Sequence, residues 1–379
     1  MNKLDFQFFD CLEQIPSLYL DELQRQNLFW SKAYLDCYQR SLAIDHSLSF
    51  ALFFDPKKPK ENSLVGIAMF HMVDTENQLP SGGILGFAKH LVSKILVCAN
   101  LHLAGESGFW FKEDYIELGY KALSKVMEKL AKEKGACYSF IKDLHQKKMG
   151  QAQEEVEKWF YKQRFYPFNA QPNMLLDLSR FSGDSIQYFD SLKTKYRSRA
   201  KQIMQKAESL DFQEFTAQQI QQNQGVISEL FDRILQNSEL NFKYYKPDFF
   251  ARLKEVWPLQ TSFRVLVKKG EIIGFSFSIL LGKIWRVQSV GFSLELNSTY
   301  ELYQNLLYDT LNLAINSGRE KWILGRTAME IKSNFGAEPI YFTQLLKSRS
   351  LLGGKQTAKL IEKATEEVWT QRKPLKEAN

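Results

Sequence analysis

Residues 158–168 read Lys158-Trp-Phe-Tyr-Lys-Gln-Arg-Phe-Tyr-Pro-Phe168, and residues 331–342 read Ile331-Lys-Ser-Asn-Phe-Gly-Ala-Glu-Pro-Ile-Tyr-Phe342. Each combines a helical stretch, an aromatic loop and a β-rich run at a proline. Working outward, each is preceded by a short strand, Ala136-Cys-Tyr-Ser-Phe-Ile141 in one case and Lys321-Trp-Ile-Leu-Gly325 in the other. Before each strand lies a long amphipathic helix, before that further strands, and at the start helices. Two similar α/β units in tandem follow, and the length of 379 residues suits two domains.

In the first half, Leu18, Leu20, Leu23, Leu28 and Tyr34 recur near helical spacing over residues 17–43. Residues 49–54 and 64–72 read as a hairpin around a polar, Pro-containing turn. Residues 96–103 read as a strand and residues 114–134 as a helix capped by Gly135. Further strands are predicted at 137–141 and within 167–178, and a helix at 154–163. The polar loop Phe181-Ser-Gly-Asp184 marks a boundary, dividing the chain into domains at 1–180 and 181–379. Beyond it come helices at 186–210 and within 219–257. A three-strand meander at 263–290 turns at Lys269-Gly270 and Gly282-Lys283. A helix at 300–317, a strand at 322–324, a short helix at 328–334, a strand at 340–343 and a helical tail from residue 355 complete the pattern. The fold class is α/β (α+β), each unit a mixed, largely antiparallel sheet flanked by helices.

Hydrophobic residues make up 44% of the chain and aromatics 14%, which excludes a disordered or fibrous protein. Most of the 29 phenylalanines are explained by core packing. A net charge of +7 permits anionic partners and selects none. The four cysteines form no CxxC pair and read as reduced thiols of a cytoplasmic protein. The five histidines show no zinc spacing, so no metal is expected. The N-terminus does not read as a signal peptide, and no 18-residue apolar run is present. Residues 84–95 form an amphipathic segment with Lys89, His90, Ser93 and Lys94 on one face. It reads as a helix covering its own sheet, or as a helix lying on a membrane surface.

The segment Phe160-Tyr-Lys-Gln-Arg-Phe165 resembles the FYxKxGF ending of the GNAT N-acyltransferase fold, with Arg164 where glycine is usual. Asn334-Phe-Gly-Ala-Glu338 is a shorter echo of it. Cys98-Ala-Asn-Leu-His-Leu-Ala-Gly-Glu-Ser-Gly108 is similar to the C-G-N…G-E-x-G segment of FemAB-like GNAT proteins linked to peptidoglycan biosynthesis, Ala99 replacing a glycine. Leu192-Lys-Thr-Lys-Tyr-Arg-Ser-Arg-Ala200 and Gly325-Arg-Thr-Ala-Met-Glu-Ile-Lys332 resemble that group's L-x-x-K-Y-R-x-R helix and G-R-T-A-x-E-x-K turn. The resemblance implies tandem GNAT domains that transfer an acyl or aminoacyl group to an amine. The group includes acyl-CoA-dependent bacterial ceramide synthases and Fem-type ligases that use aminoacyl-tRNA.

Acyl transfer to an amine needs donors for the carrier's phosphates, a donor for the developing oxyanion, and a base. Gly105, Ser107, Gly108 and Phe109 form a turn between a predicted strand and helix, where backbone amides can cradle the phosphates of acyl-CoA. The acyl donor is therefore assigned to the first unit. Strand alternation would place Cys98, Asn100 and His102 on one face. His102 is then a candidate base, Asn100 a carbonyl-positioning group and Glu106 the rival base; a hydrogen-bonded core pair is the other explanation of Asn100 and His102. Arg326, Glu330 and Lys332 are candidates for the acceptor's polar head, although Arg326 and Glu330 also have the spacing of a helical ion pair. Tyr196 and Arg197 are candidates for a phosphate or carboxylate, or belong to a solvated basic face. The leading expectation is an acyl-CoA-dependent N-acyltransferase acting on a sphingoid base or other lipid amine at the inner membrane face. The alternatives are an aminoacyl-tRNA-dependent Fem-type ligase and a non-catalytic, membrane-associated lipid-binding module. No DNA partner is expected.

Overall fold

The structure is a computed structural model that describes residues 3–42, 46–60, 63–74, 94–144, 153–181, 183–236, 246–349 and 353–377. The amphipathic segment at 84–95 lies outside these residues as far as residue 93, and Lys94 and Ile95 belong to a strand rather than a helix.

The first half runs β1 (Asp5–Phe9), α1 (Ser17–Gln26), α2 (Lys32–Arg40), β2 (His46–Phe54), β3 (Leu64–Asp74), β4 (Lys94–Cys98), β5 (Phe109–Phe111), α3 (Ile116–Glu133), β6 (Tyr138–Leu144), α4 (Gln153–Lys162), β7 (Tyr166–Asn169) and β8 (Asn173–Asp177). The second runs α5 (Ser185–Ser191), α6 (Thr194–Lys206), β9 (Asp211–Glu214), α7 (Ala217–Gln222), α8 (Gln224–Gln236), α9 (Asp248–Val256), β10 (Thr261–Lys268), β11 (Glu271–Leu281), β12 (Ile284–Phe292), α10 (Leu294–Tyr300), α11 (Leu302–Asn316), β13 (Lys321–Ile323), α12 (Met329–Ser333), β14 (Glu338–Ile340), β15 (Thr343–Ser348) and α13 (Gly354–Ala364).

Local chemistry accounts for most of these elements. Ser31 caps α2 by accepting from the Tyr34 amide, and Thr216 with Gln219 forms a capping box on α7. α3 buries Leu123, Val126, Met127 and Leu130 along one stripe against Phe53, Phe70 and Leu96 of the sheet. Lys269 and Gly270 both take positive φ, the backbone that a tight β10–β11 hairpin requires. In the second half Phe250 packs on Phe263, Phe275 and Phe277, and Phe263 stacks on Phe275 at 5.1 Å. The phenylalanine excess goes largely into such cores.

The strand order of the first sheet is β1-β2-β3-β4-β6-β15-β7, with β5 also paired to β3. That of the second is β9-β10-β11-β12-β13-β8-β14. In each sheet one pair is parallel, β4 with β6 and β12 with β13, and the others are antiparallel. The sixth place in each sheet is filled by a strand from the opposite half of the sequence. β8 pairs with β13 and β14, and β15 pairs with β6 and β7.

This exchange displaces the expected cut at residue 180. One compact unit is Met1–Gln171 with Tyr341–Glu367; the other is Pro172–Ile340 with Val368–Asn379. The reason is the backbone ladder, since each exchanged strand meets its hydrogen-bonding needs in the sheet of the other half.

Candidate active site

In a sheet of this order, the parallel pair is where two neighbouring strands can part and leave backbone groups facing a gap. In the first unit β4 and β6 pair from Ile95/Tyr138 to Cys98/Ile141 and then separate. The separation is filled by the protein itself. The Lys142 ammonium donates to the carbonyls of Asn100 and Leu103 at 3.4 and 3.1 Å, and to Asp143 Oδ2 at 2.7 Å. Asp143, fully buried with φ 61°, also accepts from the Gly105 amide at 2.8 Å and from Gln344 Nε2 at 2.9 Å. Its own carbonyl accepts from the Ser107 hydroxyl at 2.8 Å.

The Gly105–Gly108 turn therefore differs from the expected phosphate cradle. The Gly105 amide is already engaged by a carboxylate, and Ser107 points to a main-chain carbonyl. A Cβ on Gly108 would lie 2.2 Å from the Ala99 nitrogen, so this glycine serves backbone packing. Phe109 lies in β5 and packs edge-on against Tyr120. The turn does not adjoin a helix start either: β5 intervenes, and α3 begins after Glu113 and Asp114 with Glu117 in its first turn. Those carboxylates oppose a second anion. Glu106 is half-buried in the same turn.

The strand ends at Cys98, so the alternation expected of Asn100 and His102 does not hold; both are buried in the bend that follows. Asn100 exchanges hydrogen bonds with the Tyr34 hydroxyl, its Nδ2 donating at 3.1 Å. His102 lies against Tyr38, tilted by 32° with ring centroids 3.9 Å apart. Burial, reinforced by His71 and His46, holds its pKa well below the usual histidine value. His71 is likewise buried, its Nε2 within 2.9 Å of the Tyr38 hydroxyl and 3.1 Å of the Ala99 carbonyl. Burial lowers its pKa to about 3. This is a neutral aromatic and imidazole core around Tyr34, which helical spacing marks only as apolar, and Tyr38.

The corresponding separation in the second unit is organised differently. β12 pairs with β13 through Arg286/Ile323 and then keeps β11 as its strand neighbour, with α8 packed close against it. β13 instead stays with β8: the Leu324 amide donates to the Met174 carbonyl at 2.9 Å, and the Met174 amide to the Gly325 carbonyl at 3.0 Å. The β11–β12 register slips between Phe277/Ser289 and Ser278/Val287, leaving Gln288 as the extra residue of a bulge. Before the bulge, the Lys283 carbonyl accepts from the Lys321 amide of β13. After it, the Ser293 amide donates to the Ile273 carbonyl of β11. Period-two alternation between these two fixed points turns the amides of Val290 and Phe292 towards the side that β13 has left.

The chain leaving β13 passes through a strained turn. Gly325, Thr327 and Ala328 have φ of 68°, 64° and 49°. Left-handed backbone at a β-branched residue such as Thr327 persists only where the surroundings enforce it. Lys332 does so from within, 3% exposed, its ammonium donating to the carbonyls of Gly325 at 3.3 Å and Arg326 at 2.5 Å. Its nitrogen thus holds the turn rather than standing free for a substrate. Glu330 pairs with Arg372, not with Arg326 as the spacing allows. Arg197 is exposed and ion-paired with Asp190 at 3.3 Å, while Tyr196 packs against the core of this unit.

No protein-family model matches this chain, and no curated protein matches it in sequence. Its backbone is similar to that of FemX, with a TM-score of 0.54 and 9% identity, covering 94% of this chain and 100% of that one. It is also similar to a tandem GNAT protein from the clavulanic acid biosynthesis pathway, with a TM-score of 0.52 and 11% identity over 91% and 98% of the two chains. The fold is a FemAB-like tandem GNAT fold. Identities this low concern the fold and not the chemistry. Within the FemAB-like fold, the two units differ in how the parting of their parallel strands is filled. Among the described residues no group of three or more His, Cys, Asp or Glu could hold a metal ion, and no helix is long and apolar enough to cross a membrane. None of the four cysteines is in a disulfide.

Proposed function

We propose that this chain transfers an acyl or aminoacyl group from an activated, anionic carrier to an amine, and that the reaction takes place where β12 leaves β13. The parting of these strands at the Gln288 bulge carries the reading. An amine attacking an ester or thioester carbonyl builds negative charge on the carbonyl oxygen, and preorganised amides lower that barrier. The amides of Val290 and Phe292 are the donors so directed. Gln288 and Ser289 border them on β12, and Arg326 follows on the chain leaving β13. Placing the site in the second unit moves the donor away from the Gly105–Gly108 turn.

Two observations favour an aminoacyl-tRNA over acyl-CoA as the carrier. The approach to α3 carries acid, Glu113 and Asp114, which disfavours a pyrophosphate there, and at the start of α10 Glu295 is ion-paired with Arg233 and occupies that cation. On α6 and its approach, Lys193, Lys195, Arg197, Arg199 and Lys201 are all exposed. Arg199 also acts electrostatically on Glu330, beside the strained turn. A basic face of this kind suits a nucleic-acid backbone.

The test is mass spectrometry of the purified chain incubated with panels of acyl-CoAs and aminoacyl-tRNAs. Acceptors are lysine-containing peptides, lipid-linked peptides and sphingoid bases. Consumption of an aminoacyl-tRNA with formation of an amide, weakened by salt, is expected. Use of acyl-CoA alone would restore the first expectation about the carrier; consumption of no donor with any acceptor would overturn the transferase reading.

A further inference from the structure

We infer that Arg372, near the end of the chain, is a positioning residue that acts through Glu330 to hold the Gly325–Ala328 turn in its strained form. The inference rests on the proposed site in the second unit. α12 has only five residues and cannot sustain itself as an isolated helix. It begins immediately after Ala328, whose φ of 49° must be enforced from outside. Lys332 holds the turn from within. On the far side, Arg372 Nε donates to Glu330 Oε1 at 3.0 Å, and a second guanidinium nitrogen reaches the same carboxylate. The Arg372 amide donates to the Ser333 hydroxyl at 3.1 Å, and that hydroxyl donates to the Glu330 carbonyl at 2.7 Å.

Arg372 is itself fixed by the segment that carries it. Gln371 Nε2 donates to the Ala337 carbonyl at 3.0 Å. The Pro374 carbonyl accepts from the Lys193 amide, and the Lys376 amide donates to the Ser191 carbonyl, both at 2.8 Å. Leu375 closes over Gly336, where an added Cβ would lie 2.9 Å from its Cδ1. Residues 371–376 thus run from α12 to the α5–α6 junction with anchors at both ends. The Arg372–Glu330 pair is about two-fifths exposed on each side, so it contributes little to global stability. What it does is oppose the unwinding of α12, which would let Thr327 and Ala328 relax to negative φ and swing Arg326 away.

The test uses the full chain carrying Arg372→Gln, Glu330→Gln, or the charge exchange Glu330→Arg with Arg372→Glu. Each single variant is expected to lower kcat about tenfold with a smaller effect on KM. Each should also speed amide hydrogen exchange in residues 324–335 while moving Tm by no more than about 2 °C. The exchanged pair should recover most of both losses. Single variants that transfer and exchange like the wild type, or an exchanged pair that rescues neither readout, would overturn the inference. If the wild-type chain transfers no group, the proposed function falls, and hydrogen exchange at 324–335 with its rescue decides this inference alone.

Discussion

The amide of Gly105 donates to the buried carboxylate of Asp143 at 2.8 Å, across 38 residues of sequence. That carboxylate also receives Lys142 and Gln344, so three donors converge on it. In Asp143→Asn an amide N–H must face one of those donors, and the ion pair with Lys142 is lost. Unfolding stability should fall by roughly 3 kcal/mol, the range for breaking a buried pair by removing one side. A urea titration checks this, and an unchanged midpoint would show that the network does not hold the first unit closed.

Two glycines of the same turn separate packing from backbone freedom. A Cβ on Gly108 would meet main-chain atoms of Ala99 at 2.2 to 2.5 Å, and the Gly108 carbonyl already accepts from the Met69 amide at 2.7 Å. Neither neighbour can yield, so Gly108→Ala should cost about 3 kcal/mol. Gly105, with φ 82°, should cost only about 1 kcal/mol as alanine. Equal losses in the two variants would refute this division of roles.

The contrast between these glycines shows where the sequence is informative. Lys269-Gly270 and Gly282-Lys283 announce their hairpins because turn geometry is local. The stripe Leu123, Val126, Met127 and Leu130 announces α3 for the same reason. By contrast, the end of β4 at Cys98 is set by the loss of its partner β6, while Ala99, Leu101 and Leu103 carry the apolar alternation past that point. Asn100 and His102 therefore alternate in sequence where no strand runs. The strand character of residues 173–177 and 343–348 is legible, but their exchange between sheets is a matter of distant partners. Asp143 and Arg372 carried no signal beyond being charged residues in β-rich or tail sequence. Gly325 at a strand end was the readable mark of the turn that follows it.

Acid should destabilise the first unit through its histidines. His71 has its folded-state pKa lowered to about 3 and His102 well below its usual value, both by burial. Above about pH 6.5 each is neutral whether folded or unfolded, and stability is full. As pH falls below that, the unfolded chain takes up protons that the folded chain refuses. Each histidine then removes about 1.4 kcal/mol per pH unit, continuing towards pH 3 for His71. Denaturant midpoints at pH 7, 6 and 5 should drop accordingly. His102→Phe, which keeps a ring against Tyr38, should roughly halve the slope; an unaltered slope would remove His102 from the account.

The strained turn of the second unit allows holding and relaxing to be told apart. Lys332→Met keeps the length of the buried side chain but removes its three donors. The Gly325 carbonyl retains the Met174 amide, and the Arg326 carbonyl loses its Lys332 donor. Stability should drop by about 1–3 kcal/mol, the range for a buried acceptor left short. Lys332→Arg should not restore it, because a planar guanidinium does not fit the place of a compact ammonium. Thr327→Gly acts in the opposite sense: it relieves left-handed strain at an exposed residue, so the denaturation midpoint should stay level or rise. If the turn positions Arg326 for transfer, both variants lower kcat although their stabilities move apart. Activity that simply tracks stability across the two would mean that the turn is only a connection between β13 and α12.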